Sequence, residues 1–124
     1  MTQNKNEMSP PLTFRPITSQ DRSLMEELVR AYYTFDGLTF KPEVHGPAID
    51  QLVQNPDNIF ARIIEKNGVV VGYYVLTFGF SLYYGGKDGF IDELFLKEEA
   101  RGGNGTFLLN TIIAKARDLG LASA

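Results

Sequence analysis

The stretch Leu94-Phe95-Leu96-Lys97-Glu98-Glu99-Ala100-Arg101-Gly102-Gly103-Asn104-Gly105-Thr106 decides how this chain is read. A hydrophobic strand runs into a short acidic connector, then an arginine, a glycine-rich loop and a helix start. That order builds an anion site. N–H groups in the first turn of a helix have no intrahelical acceptor, and the helix dipole adds positive potential there. Glycines let the backbone approach a ligand closely. Arg101 adds a permanent charge suited to phosphate. The segment therefore reads as a pyrophosphate cradle made by Arg101, Gly102, Gly103, Asn104, Gly105 and Thr106.

Working outward, periodicity gives the elements on either side. Residues 1–11 are polar, end in Ser9-Pro10-Pro11 and read as a flexible tail. Residues 12–17 read as a short strand, with Pro16 at an edge or at its end. Thr18-Ser19-Gln20-Asp21 fits a capping box. It opens a helix with Leu24, Leu28, Tyr32 and Phe35 at helical spacing. A second helix is predicted over 47–55, with Pro47 in its first turn and Asn55-Pro56-Asp57-Asn58 ending it. Two β-rich runs, 59–65 and 69–80, meet at Asn67-Gly68, a strong short hairpin signal. The second run is almost wholly apolar, so it is expected to be a central strand covered on both faces. A further strand covers 89–96. A last helix starts near Asn104, carries Leu108, Ile112, Ala116 and Leu119 as one stripe, and ends at Gly120.

Composition narrows the function classes. The chain has 124 residues, 44% hydrophobic and 22% charged, as in a soluble globular domain. A net charge of -3 argues against non-specific nucleic-acid binding, which needs a basic surface. Without cysteine there is no thiolate nucleophile or disulfide, and the single histidine, His45, cannot build a multi-histidine metal site. No apolar run approaches the roughly 20 residues that span a bilayer, and the polar start lacks a signal peptide's apolar core. A cytoplasmic location is the expectation.

The loop and its flanks resemble the cofactor-binding motif of the GCN5-related N-acetyltransferases, Gln/Arg-x-x-Gly-x-Gly/Ala at the start of a helix after a central strand. Arg101 lies five residues after Leu96, the spacing that family uses. Gly103 and Gly105 match Gly-x-Gly counted back from the helix. Counted from Arg101, the glycine positions hold Asn104 and Thr106, so the loop is one residue short. The resemblance implies an α/β (α+β) fold with a mixed, mainly antiparallel sheet flanked by helices. Residues 12–124 would form a single domain, lacking the last strands and helix at its C-terminus. It also implies an acetyl-CoA-dependent N-acetyltransferase acting on a primary amine of a small molecule or peptide. Acetyl-CoA would be a co-substrate, its pantetheine arm paired with the backbone of Leu94, Phe95 and Leu96. The alternative is a non-catalytic acyl-CoA-binding or interaction domain.

Acetyl transfer needs a base for the amine, and a carboxylate can serve through water. Asp92 and Glu93 are the candidates. Regular alternation puts Phe90, Asp92, Leu94 and Leu96 on one face and Ile91, Glu93 and Phe95 on the other. In several members of the family that the chain resembles, an acid on this strand, an even number of residues before the position of Leu96, serves as base, and Asp92 has that parity. Glu93 is the second choice, since register can slip at a bulge. His45, Tyr83 and Tyr84 stand in loops that would border an acceptor pocket. With the later strands missing, the last strand would have an open edge. A homodimer or higher oligomer is therefore expected.

Overall fold

The computed structural model describes residues 12–102 and 105–120. The expected tail at 1–11 lies outside the described residues, as do Gly103, Asn104, residues 121–124 and the side chain of Thr106.

Four strands make one antiparallel sheet in the order β1 (Thr13–Pro16), β2 (Ile59–Lys66), β3 (Val69–Ser81) and β4 (Gly86–Leu96). Helices α1 (Arg22–Phe35) and α2 (Pro42–Leu52) come between β1 and β2, and α3 (Gly105–Asp118) follows β4. The expected mixed α/β, mainly antiparallel architecture is what the chain adopts.

The hairpin joining β2 and β3 turns on Asn67 and Gly68, both with positive φ (56° and 78°). Positive φ at both central positions suits the right-handed twist of paired strands, and Asn and Gly tolerate it best. Residues Val71 to Leu76 of β3 are buried without a break. Its alternate residues feed two cores. On one face Tyr73 and Val75 pack with Met25, Leu28, Val29 and Tyr33 of α1, Ile49 of α2, and Phe95. On the other, Val71, Tyr74 and Leu76 pack with Leu108, Ile112 and Ala116 of α3, and Leu96. A strand covered on both faces reads as a continuous apolar run, which is why β3 has no polar alternation.

Two ladder irregularities bend the sheet. Ile64 pairs with Gly72 and Glu65 with Val70, so Val71 is extra on β3. Val75 pairs with Glu93 and Leu76 with Ile91, so Asp92 is extra on β4. Beside the first bulge, β4 comes so close that a Cβ on Gly72 would sit 2.0 Å from the Phe95 carbonyl oxygen.

The entry to α1 follows the capping-box expectation. The Thr18 hydroxyl accepts from Gln20 N, and the Asp21 carboxylate accepts from Thr18 N at 2.8 Å. Arg15 grips both Asp21 oxygens at 3.0 and 3.1 Å and reaches Glu65 on β2. The bond from Arg15 is the largest of the effects that hold the Asp21 carboxyl below its ordinary range, and the Thr18 bonds add to it.

The second helix departs from expectation. It begins at Pro42, whose missing N–H costs nothing at the first helical position, and Pro47 lies inside it. Pro47 cannot donate to the Glu43 carbonyl. Arg22 of α1 nonetheless ties the segment down through Gly46 O and Asp50. The apolar stripe of α1 is also rotated: Met25, Leu28, Val29 and Tyr33 are buried, whereas Phe35 is 63% exposed.

Gly72→Ala is expected to cost about 3 kcal/mol or more, because the clash is with backbone. Chemical denaturation measures it, and a loss under about 0.5 kcal/mol would show that β4 can move away. Asp21→Asn is expected to cost about 1 kcal/mol near neutrality. The folded Asp21 carboxyl titrates below its unfolded value near 3.8, so this stability is present above that pH and lost as the pH falls through the folded value. Wild type and variant should thus converge in acid, and a difference constant with pH would discard the explanation.

Candidate functional site

The bulge at Asp92 sets the geometry. An extra residue on one strand breaks the two-residue alternation. Glu93 pairs with Val75 on the α1/α2 face, and Ile91 pairs with Leu76 on the α3 face. Asp92 and Glu93 consequently both line a cleft between that sheet face and the two helices. Regular alternation had put them on opposite faces; the bulge corrects this. Ile91 likewise falls on the same face as Leu96, away from Glu93.

The cleft has a volume of about 180 Å³. Its walls are Val29 and Tyr33 of α1, Ile49 and Leu52 of α2, and Ile59, Tyr73 and Val75 of the sheet. Asp92, Glu93, Thr77, Gln51 and His45 supply the polar groups. It is an apolar slot with two carboxylates from one strand.

Glu93 is held from two sides. Tyr33 Oη donates to Oε2 and Tyr73 Oη to Oε1, each at 2.6 Å. One tyrosine comes from α1 and the other from β3, so a single carboxylate links helix to sheet. Both phenols are pushed well above the ordinary tyrosine value, first by burial and then by the bond to Glu93. They remain O–H donors across the neutral and mildly alkaline range. Sequence reading missed this pair. Tyr32, Tyr33, Tyr73 and Tyr74 look alike as neighbouring tyrosines, and only strand register and helix phase separate those that reach Glu93. Asp92 is exposed and makes no side-chain hydrogen bond among the described residues.

His45 is not a free loop residue. It sits in the first turns of α2, where Nδ1 accepts from Lys41 N at 2.9 Å. Its ring packs edge-on to Tyr33, centroids 5.0 Å apart, and against Phe40. Nδ1 as acceptor places the proton of the neutral ring on Nε2. Tyr83 and Tyr84, by contrast, meet edge to face in the β3–β4 turn, are largely exposed and do not line the cleft.

Around the glycine-rich loop, Arg101 turns back. Its Nε donates to Leu96 O at 2.6 Å, and its guanidinium lies 4.0 Å from the Phe35 ring centroid. The bond to Leu96 O shows that the end of β4 presents a backbone group on the edge away from β3. β4 ends the sheet, so Leu94, Phe95 and Leu96 lie on an edge strand with no further strand beside it among the described residues. Gly102 is exposed, and Gly105 is the first residue of α3. Gly103, Asn104 and the Thr106 side chain, expected in the cradle, lie outside the described residues. No helix among the described residues is long and apolar enough to cross a membrane.

The fold recurs in solved structures. An integron cassette protein from the mobile metagenome of Cole Harbour Salt Marsh is 30% identical, with a TM-score of 0.79, over 98% of this chain and 80% of its own. A possible acetyltransferase from Clostridium difficile 630 shares the fold at 15% identity and a TM-score of 0.72, over 87% of this chain and 72% of its own. A predicted acetyltransferase from Clostridium acetobutylicum, solved with acetyl-CoA, does so at 15% identity and 0.71, over 89% and 76%. A search of curated proteins found no match. The sequence profile described as the Acetyltransferase (GNAT) family matches residues 22–124, a span that runs from α1 through both carboxylates to the end of the chain, and the chain belongs to that family.

Proposed function

We propose that the protein transfers an acetyl group from acetyl-CoA to a primary amine that enters the cleft beside Asp92 and Glu93. The observation that carries this reading is the β4 bulge, which turns two consecutive carboxylates toward one cleft. Amines are protonated near neutrality and must lose a proton before attack. Asp92, exposed and without a side-chain hydrogen bond among the described residues, takes that proton directly or through a water. The freed nitrogen attacks the thioester carbonyl carbon, the C–S bond breaks, and CoA leaves as thiolate and takes up, directly or through water, the proton that the nitrogen sheds in becoming an amide. A backbone N–H on β4 stabilises the carbonyl oxygen as its charge grows. Pantetheine pairs with the outer edge at Leu94, Phe95 and Leu96. The pyrophosphate rests on Arg101, Gly102, Gly103, Asn104, Gly105 and Thr106 at the start of α3. Acetyl-CoA as donor makes the cytoplasm the working compartment.

A second reading has an observation of its own. Arg101 is engaged with Leu96 O and Phe35, so its charge reaches phosphate only by leaving both. A domain that binds acyl-CoA without turning it over is the alternative.

Calorimetric titration with acetyl-CoA, followed by thiol release over a panel of primary amines, separates the two. Binding with turnover is expected. Binding without turnover selects the alternative, and no binding removes both. Arg101→Ala is expected to weaken CoA binding about tenfold more than pantetheine binding, because only CoA carries the phosphates. Asp92→Asn is expected to lower kcat by about 100-fold with little change in CoA affinity. An unchanged pH–rate profile in that variant would rule Asp92 out as base.

Self-association belongs to the same reading. Phe80, Leu82, Tyr83, Tyr84 and Phe90 expose large apolar surface on the β3–β4 hairpin, and β4 is an edge strand. A dimer is expected by light scattering on dilute protein, and a monodisperse monomer that binds no hydrophobic dye would overturn it.

A further inference from the structure

We propose that Tyr33 and Tyr73 are positioning residues that lock Glu93 as the amine-binding carboxylate of the cleft, leaving Asp92 alone to take the proton. The inference rests on the acetyl-transfer reading and adds a division of labour between two adjacent acids.

The geometry assigns the roles. Glu93 has one phenol on each oxygen, both at 2.6 Å, from tyrosines 40 residues apart in sequence. Neither ring is free to swing. Tyr73 is wholly buried and packs against Tyr32 and Phe95; Tyr33 packs against Tyr32, Phe40 and His45. Two fixed donors therefore fix the carboxylate. An ionised carboxylate has about four lone-pair sites, and two phenols occupy two of them. The others remain for an N–H in the cleft. Such a group is suited to hold an ammonium at a set position and poorly suited to follow a proton outward. Asp92, one residue earlier on the bulge, has the opposite character: it is exposed and has no side-chain hydrogen bond among the described residues. The titratable groups around Glu93 are Asp92 on β4, His45 on α2, Tyr32 and Tyr33 on α1, and Tyr73 on β3. Of the two acids, Asp92 is exposed and Glu93 is half-buried.

Steady-state kinetics with acetyl-CoA and the best amine of the panel tests this in Tyr33→Phe, Tyr73→Phe, Glu93→Gln and Asp92→Asn. Each Tyr→Phe change removes one oxygen from a ring that stays packed, and Tm reports whether the fold is retained; Tyr33→Phe, on the helix, covers the case in which Tyr73→Phe fails to fold. The tyrosine variants and Glu93→Gln are expected to raise the amine KM about tenfold, with kcat within about twofold and the Kd for acetyl-CoA unchanged. Adding Tyr73→Phe to Glu93→Gln should have no further effect, since both act through one group. The acid limb of the pH–rate profile should persist in all three and vanish in Asp92→Asn. Loss of that limb in Glu93→Gln, or a fall in kcat at constant amine KM in both tyrosine variants, overturns the assignment. A merely structural role would lower Tm and kcat together without a selective change in amine KM. If no amine turns over, the acetyl-transfer reading falls by itself. The clamp is then read by titrating the acetyl-CoA-free chain with n-butylammonium chloride. Binding about tenfold weaker in Tyr73→Phe and Glu93→Gln supports it, and equal binding in all variants overturns it.

Discussion

One additional residue in β4 sets the site. Asp92 has no partner of its own on β3, so the alternation of β4 slips by one there. Everything downstream keeps the parity that lets Phe95 join the α1/α2 core and Leu96 the α3 core. Everything upstream is reversed. At the slip, two acids share one face. A regular strand would bury one acid in each core or expose one uselessly; the bulge gathers both at a single cleft. Bulges bend strands as well as shifting them, which is why they recur beside active sites.

The slip is held by what surrounds it. β3 is buried on both faces from Val71 to Leu76 and cannot shift register without moving two cores at once. Gly72 brings the Phe95 carbonyl closer than any side chain would permit. Tyr33 and Tyr73 then fasten Glu93 from above and beside it. A carboxylate half-buried in an apolar cleft is costly unless hydrogen-bonded, and here both oxygens accept from donors that stay protonated. The same bonds that make the acid tolerable also give it a fixed direction.

The sequence was legible where the chemistry is local. Asn67-Gly68 demands a hairpin because few other residue pairs accept two successive positive φ values, and the hairpin is present. Thr18 and Asp21 demand a helix entry because their side chains satisfy otherwise unpaired N–H groups, and they do. The unbroken apolar run of β3 demands two covers, and it has them. Legibility failed where a long-range contact decides. Pro47 reads as a first-turn residue, but Pro42 is the better helix start, and Arg22 anchors the turn around Gly46. Strand parity at Asp92 and Glu93 follows from pairing with β3, which no count along β4 can reveal. The tyrosine partners of Glu93 depend on the same register.

Arg101 shows how one residue can match a motif and still act locally. Its position, five residues after Leu96, is the position from which a guanidinium can fold back onto that residue's carbonyl while stacking on Phe35. A bond from a charged donor to a backbone carbonyl at the end of an edge strand ties the connector to the sheet. The N-terminus of α3 follows four residues after Arg101, at Gly105. Phosphate binding at that helix end needs backbone amides first and a cation second. An arginine held in this way keeps its charge at the strand end and over Phe35. The spacing between strand and arginine is thus explained by the loop's architecture, whichever group the guanidinium finally faces.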